Sequence, residues 1–222
     1  MTSSTMTSST MTSSTSALTI RPARPEECDA LGKILVAAYA ALPGMPPPDE
    51  QPDYYAMLAN VGGRAAKPAL TVFVAIDDAG RLRGSIDFID DMTQYGSGGT
   101  ASAVTDAAGI RLLAVDDTYR GKGVGKELTR FCIERARAIG KNRLVLHTTR
   151  VMQAAWAMYE GLGFVRFPDI DFQQGNLDVF GFHLNLASAA AARRTLGETL
   201  GEGEIATPSF MGLDHSGPHR IR

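Results

Sequence analysis

Three rhythms of apolar and polar positions run along the chain. Between 25 and 42 ("PEECDALGKILVAAYAAL"), Leu31, Ile34, Leu35, Ala38 and Leu42 recur at steps of three and four, which predicts an amphipathic helix. "PGMPPPDEQP" (43 to 52) must break it, because proline lacks the amide donor and clashes with the preceding turn. A second helix is expected over 53 to 61 and a short one over 151 to 162, ended by Gly161 or Gly163. The strongest helix pattern runs from 124 to 140, with Val124, Leu128, Phe131, Cys132, Ala136 and Ile139 as its apolar stripe. Short apolar runs predict strands at 17 to 24, 69 to 77, 110 to 115, 143 to 147, 164 to 167 and 179 to 186. The stretch 82 to 90 alternates, with Leu82, Gly84, Ile86 and Phe88 opposite Arg83, Ser85 and Asp87. Across the turn at 77 to 81 this predicts an antiparallel hairpin with one packed face.

That order of elements predicts an α/β (α+β) fold, a mixed and mostly antiparallel central sheet flanked by helices. The strand at 110 to 115, the helix at 124 to 140 and the strand at 143 to 147 make a right-handed βαβ unit. The long connection at 91 to 109 is rich in Gly, Ser and Ala, and loops of that length inside a domain usually serve function. "MTSSTMTSSTMTSST" is one pentapeptide written three times. It has nothing to bury, so residues 1 to 16 are expected to be disordered and to stand outside the domain. The domain is expected over 17 to 187, followed by an extension over 188 to 222.

Composition narrows the function classes. A chain of 222 residues with 44% apolar content can bury one core. A formal net charge of -2 gives no basic field for nucleic acid. No apolar run reaches membrane-spanning length. Cys28 and Cys132 sit in helical patterns and read as buried thiols, without the ligand spacing of a zinc site. No metal is expected, and a reducing, cytoplasmic setting fits best.

The chemistry concentrates at "RGKGVGKELT" (120 to 129), where a glycine-rich turn leads from a strand into a helix. Unpaired amide N–H groups at a helix N-terminus, with the partial positive charge of the helix dipole, make an anion site. Arg120, Lys122 and Lys126 add charge, while Gly121, Gly123 and Gly125 keep side chains out of the way. The stretch fits neither a P-loop nor a dinucleotide fingerprint.

"LLAVDDTYRGKGVGKEL" resembles the acetyl-CoA motif of the GNAT superfamily of N-acetyltransferases. That motif is R/Q-x-x-G-x-G/A directly after an apolar strand, matched here by Arg120, Gly123 and Gly125. "AAWAMYEGLGFVR" (154 to 166) resembles the superfamily's later segment through Tyr159, Glu160, Gly163 and Phe164. The pair occurs in the expected order, and the likeness spans 17 to 187. It implies a splayed parallel βαβ unit with a slot for the pantetheine arm of acetyl-CoA. Residues 120 to 126, with Val124 among them, would hold the pyrophosphate. Backbone groups of Leu113, Ala114 and Val115 would pair with the arm, and Tyr159 would donate to the departing thiolate. One position departs from the pattern. Met152 stands where an asparagine is common, and helical geometry would turn the neighbouring Gln153 elsewhere.

An amine acceptor needs a base, since about one in a thousand lysine-like amines is neutral at pH 7. His147, at the end of the strand lining the slot, is the first choice. Asp116 and Asp117 end the facing strand, the resemblance sets the hairpin strand carrying Asp87 and Asp90 beside the acceptor site, and His183, His215 and His219 read as incidental. The expected activity is acetyl transfer from acetyl-CoA to a primary amine of a small molecule. A protein N-terminus or lysine as acceptor, and a non-catalytic acyl-CoA-binding domain, are the alternatives. The loops at 43 to 53 and 91 to 109 should set the acceptor. A homodimer is compatible with this reading.

Overall fold

The computed structural model describes residues 18–186. The repeat at the start of the chain and the extension after 187 lie outside the described residues. Eight strands form one sheet: β1 (Thr19–Pro22), β2 (Leu70–Ile76), β3 (Leu82–Ile89), β4 (Ala107–Val115), β5 (Arg143–Thr149), β6 (Val165–Arg166), β7 (Phe172–Gln174) and β8 (Leu177–Asn185). Their order is β1-β2-β3-β4-β5-β8-β6, with β7 paired to β8. Only β4 and β5 run parallel, so the expected mixed, mostly antiparallel sheet is what forms. The helices are α1 (Cys28–Ala40), α2 (Pro52–Ala59), α3 (Val61–Ala65), α4 (Val124–Ala138) and α5 (Gln153–Gly161).

Side-chain alternation distributes the core over both faces of the sheet. Phe73, Ala75, Ile86 and Phe88 pack with Leu128 and Cys132 of α4. Val72 and Val74 point the other way, onto Leu31 and Leu35 of α1 and Leu58 of α2. The β2–β3 hairpin therefore has two packed faces where the alternating pattern predicted one. Arg83, Ser85 and Asp87 are all buried on the face expected to be wet. Arg83 and Asp87 are covered because ion pairs replace water there, while the Ser85 hydroxyl is buried without a partner among the described residues. Asp77 accepts from Arg83 at 2.6 Å, and Asp87 from Nε of Arg64 at 2.8 Å.

Two short elements escaped the sequence pattern. The five-residue α3 carries two glycines and no apolar stripe, and Asn60 caps it by accepting from the Gly63 amide. The three-residue β7 is too short to show a period.

Arg64 fastens this corner. Its guanidinium binds Asp87 and donates to the carbonyls of Met57 and Leu58, which ties α2 and α3 to β3. Burial pushes the Asp87 carboxyl up, and the Arg64 charge opposes that. Removing one partner strands the other charge in the core. Arg64→Met should therefore cost about 3–5 kcal/mol in urea denaturation, whereas Arg64→Met with Asp87→Leu should recover most of the loss. Equal stability of the single and double variants would show that the pair does not anchor the helices.

Candidate active site

The site begins where a strand pair comes apart. β4 and β5 hold parallel register from Ala107 with Arg143 to Ile110 with Leu146, and no further. Beyond Ile110, the edge of β4 that faces β5 has no strand partner among the described residues. A bulge accompanies the separation. From Ser85 to Asp87 is two steps on β3, but the paired stretch of β4 from Ala114 to Arg111 is three. Leu112 absorbs the extra residue with φ of +51°, a left-handed conformation that costs a branched side chain about 1 kcal/mol or more. The bulge inverts the strand's faces. Ala108 and Ile110 pack toward α4, whereas Leu112 and Ala114 pack toward α1.

A groove of about 890 Å³ opens on one side of the gap. It is lined by Leu113, Ala114 and Val115, by the turn residues Arg120, Gly121, Gly123, Val124, Gly125 and Lys126, and by the start of α5. Gly121 and Gly123 have φ of +74° and +85°, which glycine alone adopts without strain. Gly123 is the N-cap of α4, and Glu127 makes the helix's first backbone bond back to it. The amides of Gly123, Val124, Gly125 and Lys126 donate to no backbone carbonyl among the described residues. These free donors sit at the positive end of a 15-residue helix, and a Cβ at Gly121 or Gly123 would meet nothing within 4 Å. The turn is thus an open cradle that fits an anion.

Lys122 departs from the expected lining. Its ammonium lies 4.3 Å from the centre of the Tyr119 ring, whose other neighbour is the Arg83 guanidinium at 3.8 Å. Asp116 and Asp117 start the turn, and Asp116 caps it by accepting from the Thr118 amide. Asp87 is committed to Arg64. The sequence missed the far wall of the groove, made by Ala38, Tyr39, Leu42 and Pro43 of α1 and its end, and by Arg150. Nothing local marks those residues, because helix packing alone brings them there. Met152 and Gln153 both line the groove. The expected divergence between them fails because α5 starts at Gln153, leaving Met152 as its non-helical N-cap.

Tyr159 is held by the end of its own helix. The amide of Gly163, at φ of +90°, bonds the Glu160 carbonyl, and the Phe164 amide bonds the Tyr159 carbonyl at 3.0 Å. This is a Schellman end, with Phe164 stacked edge-on to the Tyr159 ring at 5.7 Å as its hydrophobic contact. The "YEGLGF" spacing is therefore a device that fixes this tyrosine. Glu160 takes a bond from the Trp156 indole instead of joining the site. Tyr159 is 5% exposed and packs in the core, lining neither the groove nor the smaller cavity, which departs from the expected catalytic placement. Burial pushes its hydroxyl up, with Tyr95 and Cys132 close enough to add to the effect. Burial also raises the hydroxyl of Tyr39 on the groove wall.

His147 faces a second, smaller cavity of about 270 Å³ on the other side of the gap. Its Nε2 lies 2.8 Å from the Ile170 carbonyl, which can only accept, so Nε2 carries the proton. Its Nδ1 is 3.2 Å from both the Ser97 and Tyr95 hydroxyls. Burial lowers the His147 pKa below its ordinary value, partly offset by the Ile170 bond. At neutral pH the ring is a neutral base with its lone pair toward Ser97. Both cavities are lined by Tyr39 and Met152, so they adjoin at the strand gap. The smaller one is also lined by Met45, Tyr54 and Met57, by Gly96 to Gly98, and by Phe172, Gln174, Leu177 and Val179. The loops at 43 to 53 and 91 to 109 thus contribute to its wall, together with the β7–β8 hairpin.

A family profile described as "Acetyltransferase (GNAT) family" matches residues 32–164. The chain belongs to the GNAT acetyltransferase family. That match covers the strand gap, the glycine turn and Tyr159. N-alpha-acetyltransferase 30 of Saccharomyces cerevisiae is 32% identical over 99 residues, 44% of this chain and 54% of that one. N-acetylaspartate synthetase of Danio rerio is 46% identical over 57 residues, 26% of this chain and 20% of that one. The chain thus spans from about half to a fifth of the length of these relatives. Among solved structures, a GNAT acetyltransferase from Staphylococcus aureus Mu50 superposes with a TM-score of 0.59 at 19% identity, over 77% of this chain and all of that one. The Salmonella typhimurium yncA acetyltransferase with its cofactor acetyl-CoA gives 0.52 at 22% identity, over 79% and 98%. These likenesses are of the fold. The GNAT family uses acetyl-CoA as cosubstrate. Among the described residues no cluster of three metal-ligating side chains occurs, and no helix is long and apolar enough to cross a membrane.

The His147 geometry makes a measurable statement. Followed by NMR, its ring should titrate below 6.5 and show the Nε2–H tautomer at neutral pH. A titration at or above 6.5 would mean that the imidazole is solvated, and an Nδ1–H tautomer would mean that Ile170 does not hold it.

Proposed function

We propose that the protein is an acetyl-CoA-dependent N-acetyltransferase whose acceptor is a primary amine of a small molecule. The observation that carries this reading is the gap between β4 and β5, with an anion cradle and groove on one side and a smaller pocket holding a neutral histidine on the other. Bound in the groove, acetyl-CoA would supply an acetyl group activated as a thioester.

The chain's own residues have four tasks. The free amides of Gly123 to Lys126, with Arg120 and Lys126 beside them, hold the pyrophosphate. The unpaired edge of β4 at Leu113 to Val115 pairs with the pantetheine arm as an added strand and offers an N–H to the carbonyl oxygen. His147 accepts the amine's proton, with Ser97 passing it on: the hydroxyl takes the proton from nitrogen while giving its own to Nδ1. The family likeness, and not the lining of either cavity, assigns the leaving sulfur to Tyr159. A thiol has a pKa near 8.5 and an unperturbed tyrosine near 10, so full proton transfer is uphill by at least roughly 2 kcal/mol. Burial widens that gap. Tyr159 therefore acts as a hydrogen-bond donor to the thiolate and keeps its proton.

The likeness to N-alpha-acetyltransferase 30 motivates a second reading, with a protein N-terminus as acceptor. The cavity favours the first. Its volume of about 270 Å³ lies just below the usual range for drug-sized ligands, which suits a ligand of few atoms.

Gly123→Glu would put a side chain and a negative charge into the cradle at a positive φ. Calorimetry should show acetyl-CoA binding abolished, and undiminished affinity in a folded variant would sink the assignment of the turn. Tyr159→Phe keeps the ring and its contact with Phe164. If the hydroxyl binds the thiolate, kcat should fall ten- to a thousand-fold with acetyl-CoA affinity nearly constant, on the order of 1.4 to 4 kcal/mol in the transition state. Unchanged turnover with a good acceptor would make Tyr159 structural only.

A further inference from the structure

The smaller cavity contains one charge, and it has the wrong sign for a bare amine. Arg111 lines it, and no aspartate or glutamate does. An amine acceptor arrives as an ammonium ion, so an unpaired guanidinium would repel it. Arg111 has no carboxylate within salt-bridge distance among the described residues. Asp87 is its direct register partner across β3 and β4, yet pairs with Arg64.

The guanidinium is also aimed and fixed. Its Nη1 donates to the carbonyls of Tyr95 and Gly96, each at 2.7 Å, which leaves Nε and Nη2 without protein partners among the described residues. The bulge explains why the side chain is there at all. On a regular strand Arg111 and Leu112 would face opposite sides, but the extra residue puts both on the cavity wall. The strained φ at Leu112 is the local cost of that placement. The remaining wall is mixed: Met45, Tyr54, Met57, Phe172, Leu177 and Val179 make an apolar part beside Ser97, His147, Thr148, Thr149 and Gln174.

We infer that the acceptor is a small amine that also carries a carboxylate and an apolar side chain, as an α-amino acid does, and that Arg111 is the residue that reads the carboxylate. The free Nε and Nη2 form the two-pronged edge that a carboxylate accepts from. Pairing there cancels the charge that would otherwise exclude the ammonium. The apolar part of the wall takes the side chain, and the amine is left toward Ser97 and His147. This rests on the acetyltransferase reading above and narrows it to one substrate class.

The test compares matched acceptors on the intact full chain. Thiol release from acetyl-CoA is followed with leucine and methionine, with their carboxamides, with isoamylamine, and with tetrapeptides beginning in Leu or Met. The free acids should exceed every uncharged counterpart at least tenfold in kcat/KM. In Arg111→Gln that preference should collapse, and Arg111→Lys should keep part of it. Equal or better turnover of the amides, the simple amine or the peptides overturns the inference and leaves the acetyltransferase reading standing. A second readout needs no turnover. N-acetyl-leucine added with CoA should raise the Tm of the wild-type protein, and the shift should be lost in Arg111→Gln. No shift in the wild-type protein overturns the inference. Failure of the underlying reading shows separately, as no acetyl-CoA binding by calorimetry.

Discussion

Parallel pairing between β4 and β5 stops at Ile110 and Leu146, and every part of the site depends on that separation. A continuous parallel pair would seal the backbone edge of β4 and fill the space between the groove and the smaller cavity. Because the strands part, one backbone edge is left without a strand partner among the described residues and two cavities adjoin across it. The bulge at Leu112 works with the separation. It turns Arg111 and Leu112 onto one wall while Leu113 to Val115 run on along the groove.

The surrounding core holds this geometry open. The large α4 cluster and the α1–α2 cluster grip opposite faces of the sheet, and buried ion pairs bind the loops and small helices to it. Arg64 and Asp87 set the corner that carries Met57, and the Asp77, Arg83 and Tyr119 stack sets the approach to the glycine turn. Polar residues of β3 are thus scaffolding for both cavities. Electrostatics then separates their roles. The groove meets the positive end of α4 and its free amides, whereas the smaller cavity has one aimed guanidinium and a histidine kept neutral by burial.

Much of this was legible in the chain. Period and punctuation gave the major helices and strands, because apolar stripes and prolines act locally. The glycine turn was readable because positive φ and open amides demand glycine at fixed spacing, and Gly121 and Gly123 adopt that conformation. The "YEGLGF" run was singled out by its family likeness alone, and the structure supplies its physical reason, a Schellman end that needs glycine and an apolar residue at set positions. His147 was expected at a strand end, but β5 runs on to Thr149 through its pairing with β8, so the residue lies within the strand. The two-sided burial of β3 was not readable, because Arg83 and Asp87 are polar and their partners Asp77 and Arg64 lie at other separations. Nor was the short β7, whose Phe172 and Gln174 line the smaller cavity only because β7 pairs with β8.

The sequence by itself determined the local chemistry: which helix opens with an anion cradle, which tyrosine is locked at a helix end, and that the sheet is mixed. Each follows from residues within a few positions of one another, where backbone conformation and spacing act directly. Only the tertiary structure decided which side chains meet. It set Arg64 rather than Arg111 against Asp87, brought Tyr95 and Ser97 to His147, and used one extra residue in β4 to turn Arg111 toward the smaller cavity. A bulge shifts facing by one residue without leaving a mark in apolar periodicity, and long-range packing has no period at all.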